Sequence, residues 1–219
     1  EGNLLETLKY ENGILIPDPE ELAKLDIKRE YHPNAQVKLV GSYSKGVKEG
    51  VHREYSMDGA VTGAKIFSKG KVVGQGIVDA EGRRQGPWKE FYETGELRSE
   101  GRYKNGKRDG EWVFYYIDGK EEQRGSYFKG KPDGDWKWIY NNGQTWREEE
   151  FYEGLEEGLA IEYNDTGKVV SKGKYLSGER EGEWVIDLGD HREEGNYVAG
   201  LPNGLWKHYF PSGKVKYEG

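Results

Sequence analysis

Hydrophobic and polar positions alternate in short runs along this chain. In "ELRSEGRY", Leu97, Ser99, Gly101 and Tyr103 fall on one side, and Arg98, Glu100 and Arg102 on the other. A period of two predicts a β-strand with one solvated face. The runs are bounded by turn signals such as "NGK", "KGK", "IDG" and "NNG". The chain therefore reads as strand, turn, strand, second turn, repeated.

The repetition has a fixed length. Motifs of the form G-x-x-x-G begin at Gly46, Gly70, Gly82, Gly106, Gly130, Gly154, Gly178 and Gly200, with spacings of 24, 12, 24, 24, 24, 24 and 22. Three residues before the first Gly stands an aromatic in seven of them: Tyr43, Phe67, Tyr103, Tyr127, Phe151, Tyr175 and Tyr197. Two residues after the second Gly stands Trp in five: Trp88, Trp112, Trp136, Trp184 and Trp206. Each repeat predicts a β-hairpin of about 24 residues. The expected fold is all-β, an elongated, twisted, single-layer antiparallel sheet of tandem hairpins. Gly101 beside Tyr103 leaves a gap where a neighbouring ring can lie. Trp112 and Tyr115 are three apart, so they face opposite ways unless a bulge intervenes.

Three places depart from the pattern. Nine surplus residues fall within "PDPEELAKLDIK", where Asp18 suits an N-cap, Pro19 the first helical position, and Glu20 and Glu21 the first turn. A short helical insertion is expected at about 17–28, covering one sheet face through Leu22 and Leu25 or docking a partner. The spacing of 12 predicts a discontinuity near Gly76–Gly82, either a switch of turn edge or a kink. It divides the chain into residues 1–81, with the insertion, and a contiguous second set of repeats at 82–219. Both ends fall inside a repeat, so the expectation is a segment of a longer repeat protein.

Composition sharpens this picture. With 34% hydrophobic residues, 33% charged and 33 Gly, the chain cannot fill a thick core. Its 16 Tyr, 7 Trp and 6 Phe argue against disorder and for a thin structure held by rings. A net charge of −7 with intermixed signs argues against a nucleic-acid partner. No apolar run reaches the roughly 18 residues of a membrane-spanning helix, so no membrane insertion by this segment is expected. There is no Cys, hence no thiol chemistry.

The unit "G-x-Y-x-x-G-x-x-x-G-x-W-x-x-Y-x-x-x-G" resembles MORN repeats, and most of all the bacterial variant class labelled antitoxin-type. The resemblance implies an antiparallel ribbon of hairpins used in scaffolding, dimerisation or membrane association, without enzymatic activity. It also implies an extracytoplasmic setting, periplasm or outer membrane, rather than the cytoplasm.

The residues themselves offer little catalytic vocabulary. His32, His52, His191 and His208 occupy no metal-ligand spacing. "GDHREEG" is the densest ionisable cluster and coincides with the repeat shortened by two residues, which reads as a tight charged turn. "GRYKNGKR" and "GSYFKGKP" match a phosphate loop until the last position, where Arg108 and Pro132 replace Ser or Thr. No catalytic residue, cofactor or metal site is expected. The candidate interaction surface is aromatic: Trp112, Phe114, Tyr116, Trp136, Trp138, Tyr140 and Trp146. These rings either stack as a ladder that replaces a core, or bind a partner, or both. A non-enzymatic scaffold that binds another protein is the leading reading. A carbohydrate or cell-wall binding module and an antitoxin or immunity protein are the alternatives.

Overall fold

A computed structural model describes residues 9–11, 14–16 and 25–219. The chain divides into two compact units, Glu1–Val78 and Asp79–Gly219. Within the first, β1 (Lys9–Glu11) pairs with β2 (Ile14–Ile16). A meander follows of β3 (Asp26–Tyr31), β4 (Val37–Ser44), β5 (Val47–Tyr55), β6 (Val61–Ser68) and β7 (Lys71–Val78). The second unit holds β8 (Arg84–Phe91), β9 (Leu97–Lys104), β10 (Lys107–Arg108), β11 (Gly110–Tyr115), β12 (Glu121–Phe128) and β13 (Lys131–Ile139). It continues with β14 (Thr145–Tyr152), β15 (Leu155–Tyr163), β16 (Val169–Leu176), β17 (Glu179–Asp187), β18 (Arg192–Val198), β19 (Leu201–Tyr209) and β20 (Val215–Glu218). From β3 on, successive strands pair antiparallel within each unit, as tandem hairpins require, with β10 and β11 both pairing with β9. Among the described residues there is no helix. Most of the expected insertion at 17–28 lies outside them; its last residues, Asp26 to Lys28, pair with Tyr43, Ser42 and Gly41 as a strand instead.

Two kinds of turn alternate, except that two of the second kind follow one another, at Gly82 and Gly95. The first is a two-residue connection with both residues at positive φ, as at Asn105 (52°) and Gly106 (77°), the I′ geometry that matches strand twist. The second is a three-residue loop ending in a left-handed residue, such as Ile117–Asp118–Gly119 closed by Gly119 N–H to Tyr116 O at 2.9 Å. The motif at Gly82 shares its letters with the others but belongs to the second kind. Gly82 N–H donates to Asp79 O, and Glu81 is not left-handed.

Neighbouring repeats are tied at both edges. In the I′ row each turn Gly N–H reaches the carbonyl of the preceding repeat: Gly130 to Arg108, Gly154 to Pro132, Gly178 to Glu156 and Gly200 to Arg180, at 2.9–3.0 Å. The other turn residue donates its N–H to the acidic or amide side chain preceding the earlier repeat's second Gly, as Asn105 to Gln85 and Ser177 to Glu157. That explains why this position reads Glu, Gln or Asp in "VKEG", "RRQG", "KPDG" and "LEEG". Along the other edge, Tyr92, Tyr116 and Tyr140 hydroxyls donate to Tyr115, Ile139 and Tyr163 carbonyls at 2.7–2.9 Å. His32 Nε2 meets Tyr55 O in the same way.

Candidate functional site

The aromatic residues are set by a wide bulge. Ser126 pairs with Asp133, yet Arg124 pairs with Lys137, so Gly125 alone faces Gly134 to Trp136. The surplus backbone folds through Gly134, at φ 73°, and lays the Trp136 ring on Gly125. A Cβ on Gly125 would fall closer than 3.0 Å to that ring; the same holds for Gly101 under Trp112, Gly173 under Trp184 and Gly195 under Trp206. In the first unit His52 takes the ring's place over Gly41. The gap expected at Gly101 is therefore filled, by Trp112.

Trp112 and Trp184 each stand edge-on between two tyrosines, and Trp136 between Tyr127 and Phe151. Tyr103–Trp112 and Tyr127–Trp136 have centroids 5.1 Å apart at 85° and 89°, and Trp112–Tyr127 6.3 Å at 85°. Trp112, Trp136 and Trp184 donate Nε1–H to the carbonyls of Arg102, Ser126 and Lys174. His52 Nε2 meets Ser42 O at 2.9 Å, the equivalent place. The ladder is interrupted where Ala160 replaces the ring, and there Glu149 replaces the glycine. Glu149 is buried, and burial pushes its carboxyl above the usual range despite Arg147 at 2.5 Å.

Arginines cover the rings. Arg108 lies 4.4 Å from the Trp112 centroid, 5.1 Å from Phe114 and 5.4 Å from Tyr127. Arg84 and Arg180 do the same at Trp88 and Trp184. Glu90, buried, binds Arg84 at 2.6 Å and Arg108 at 3.1 Å and accepts from Ser99 and Tyr103. Burial alone would raise this carboxyl, but Arg108 and Arg84 more than offset it and hold it below its ordinary value.

The seven aromatic candidates thus divide. Trp112, Phe114 and Trp136 are buried; Trp138 packs on Trp136 at 5.7 Å and on Phe151. Tyr116 and Tyr140 are half-buried edge clamps. Trp146 is 39% exposed, 5.8 Å from Tyr140, and donates to Glu162. Tyr115 faces the other way from Trp112, as its spacing implies: its hydroxyl donates to Glu100, and burial with that bond pushes it up to about 12.

The face opposite the ladder carries charge. Arg124, Lys137, Glu148 and Ile161 lie in one cross-strand row and line an open cavity of about 500 Å³ with Leu159. Next to the I′ turns, the same face displays apolar side chains one residue after the last four ladder aromatics, Tyr127, Phe151, Tyr175 and Tyr197. Phe128, Tyr152, Leu176 and Val198 are exposed there, with Leu155 and Leu201 opposite Tyr152 and Val198.

At the shortened repeat, Asp187 pairs with Arg192 and Leu188 N–H donates to His191 O, a two-residue connection with Gly189 at φ 91°. The tight charged turn is present. It also brings His191 Nε2 within 3.0 Å of Glu193, whose strand neighbour is His208. Hydrogen bonds with Asp190 and Glu193 hold His191 above its ordinary pKa. No spacing in the sequence pointed to this group, because His208 joins it only through the pairing of β18 with β19.

Hairpins that each lay a ring on the glycine of the one before define a hairpin-repeat protein. Four segments, residues 84–105, 132–153, 156–176 and 202–219, match the MORN repeat variant. No curated protein matches the sequence. Among solved structures, the chain is similar to one in a crystal structure of accessory secretory protein 1, 2 and 3 in Streptococcus pneumoniae. The identity is 14% and the TM-score 0.22, over 68% of this chain and 22% of that one. A chain in a crystal structure of the GtfA/B complex bound to UDP and GlcNAc is similar at 12% identity and TM-score 0.21, over 80% of this chain and 28% of that one. The chain spans less than a third of the length of either.

Proposed function

We propose that this chain is a non-enzymatic interaction module that binds another protein along the I′ edge of its second unit. The observation that carries this reading is the apolar row of Phe128, Tyr152, Leu155, Leu176, Val198 and Leu201. Tyr152 and Leu201 are 65% and 70% exposed. Monomeric proteins rarely leave contiguous apolar surface of this kind uncovered. The turns beneath it are hydrogen-bonded to one another, so the row is held in place before a partner arrives. Burial of Trp112 and Trp136 weakens the carbohydrate alternative, which needs open ring faces. A bacterial envelope setting is proposed from the resemblance to exported members of the variant class, and fractionation of the native organism tests it.

The deciding experiment is retention of envelope and cytosolic proteins on the immobilised chain, wild type against L155D/L201D and W146A. A protein retained by the wild type and W146A but lost from L155D/L201D supports the edge. Retention of cell-wall glycan in place of protein, lost from W146A, overturns it.

A further inference from the structure

We propose that His191, Glu193 and His208 form a binding site for a divalent transition metal of the zinc class. The three donor atoms lie within 4.8 Å of one another. His191 Nε2 is 3.0 Å and His208 Nδ1 3.1 Å from the same oxygen of Glu193. Ligands about 2.0–2.2 Å from one ion in a tetrahedral arrangement stand roughly 3–3.5 Å apart, so small side-chain adjustments admit the ion. Two imidazoles and a carboxylate select a borderline metal over calcium or magnesium, which prefer all-oxygen shells.

Two further observations point to a ligand. His191 Nδ1 is bonded to Asp190 at 2.7 Å and Nε2 faces Glu193 at 3.0 Å, so Asp190 can keep the Nδ1 proton while an ion takes the place of the proton shared between Nε2 and Glu193. A carboxylate behind a ligating histidine is the usual second partner at metal sites. Meanwhile His208 Nδ1 is buried without a hydrogen-bond partner, since Glu193 lies out of line for one. The His208 ring is fixed against Tyr217, 4.0 Å between centroids and 18° from parallel. Asp190 is a positioning residue in this arrangement. Three protein ligands leave one tetrahedral position for water or for a group from a partner.

The test is calorimetric titration of the full chain with ZnCl2 after chelator dialysis, alongside histidine ¹H–¹⁵N spectra. One equivalent should bind and raise Tm, and H208F and E193Q should each abolish that binding. H208F keeps an aromatic that the equivalent position already holds as Phe114. D190N should weaken binding by roughly 10–100-fold. In the spectra, zinc should move His191 Nε2 and His208 Nδ1 and leave His32 and His52 in place. Absence of stoichiometric binding, binding unchanged in H208F, or shifts at other histidines would overturn the site.

Discussion

The ring of Trp136 rests where a side chain on Gly125 would have to be. The two are eleven residues apart, as are Gly41 and His52, Gly101 and Trp112, Gly173 and Trp184, and Gly195 and Trp206. Where the ring is missing the glycine is missing too: Lys65 precedes Gly76, and Glu149 precedes Ala160, by the same interval. Large faces small in both arrangements, which is how a sheet with few aliphatic residues fills the space above it.

This relation predicts strong coupling. G125E drives a side chain into the Trp136 ring and should destabilise by about 1–3 kcal/mol or more, the cost of overpacking. W136A removes a buried ring and should cost about 3–5 kcal/mol. The double variant G125E/W136A recreates the Glu149–Ala160 arrangement, so its loss should be smaller than the sum. Urea unfolding of all four proteins closes the cycle; additive losses would refute the relation.

Two turn residues carry avoidable backbone strain. Ala35 sits at φ 62° where other three-residue loops have Gly, and Ala199 at φ 48° where an I′ turn favours Asn. A35G and A199N should each stabilise by up to about 1 kcal/mol, since a left-handed Ala costs roughly 1–2 kcal/mol. Thermal unfolding of each variant measures this. A fall in Tm would show that the present side chains contribute more than their strain.

Much of this architecture is legible in the sequence because it is local. Turn residues and alternation place the hairpins, and the repeat fixes their order. What the letters conceal depends on neighbours. "GRRQG" at Gly82 looks like its counterparts, yet "DAEGR" places Gly82 third in a loop, as "YIDGK" places Gly119. Trp112 looks like an open binding ring until Arg108 and Tyr127, from different strands, are seen to cover it. His191 and His208, 17 residues apart, meet through the pairing of β18 with β19, just after the turn from β17 to β18 that is two residues shorter than its counterparts.

Two buried glutamates should respond to pH in opposite directions. Glu90 has a lowered folded pKa, so its contribution is present above the unfolded value of 4.5 and is lost as pH falls through the folded one. E90Q leaves Arg84 and Arg108 without their buried partner and should cost about 3–5 kcal/mol at pH 7, shrinking in acid. Glu149 has a raised folded pKa, so its contribution is present below 4.5 and is lost as pH rises through the folded value. E149Q should therefore compare more favourably with wild type at pH 7 than at pH 4. Denaturant midpoints across pH 4–7 separate the two; parallel profiles for E90Q and E149Q would contradict both assignments.

His52 occupies a tryptophan's place and offers a last test of the ladder. Its Nδ1 is buried without a partner, while Nε2 meets Ser42 O as an indole N–H would. Burial lowers its pKa against the Ser42 bond, with Lys48 adding to the fall. The neutral ring is thus the folded form: stability is present above 6.5 and lost as pH drops through that value, where the unfolded chain takes up the proton first. H52W places a ring over Gly41 between Tyr43 and Phe67, the setting Trp136 has between Tyr127 and Phe151. Lys65 opposite it is no obstacle, since Trp136 already pairs with Glu149. The variant should raise Tm at pH 7 and remove the loss of stability between pH 7 and 5 that His52 causes. A lower Tm at pH 7 would mean that the first unit is built around the smaller ring, and that the two units do not share one ladder geometry.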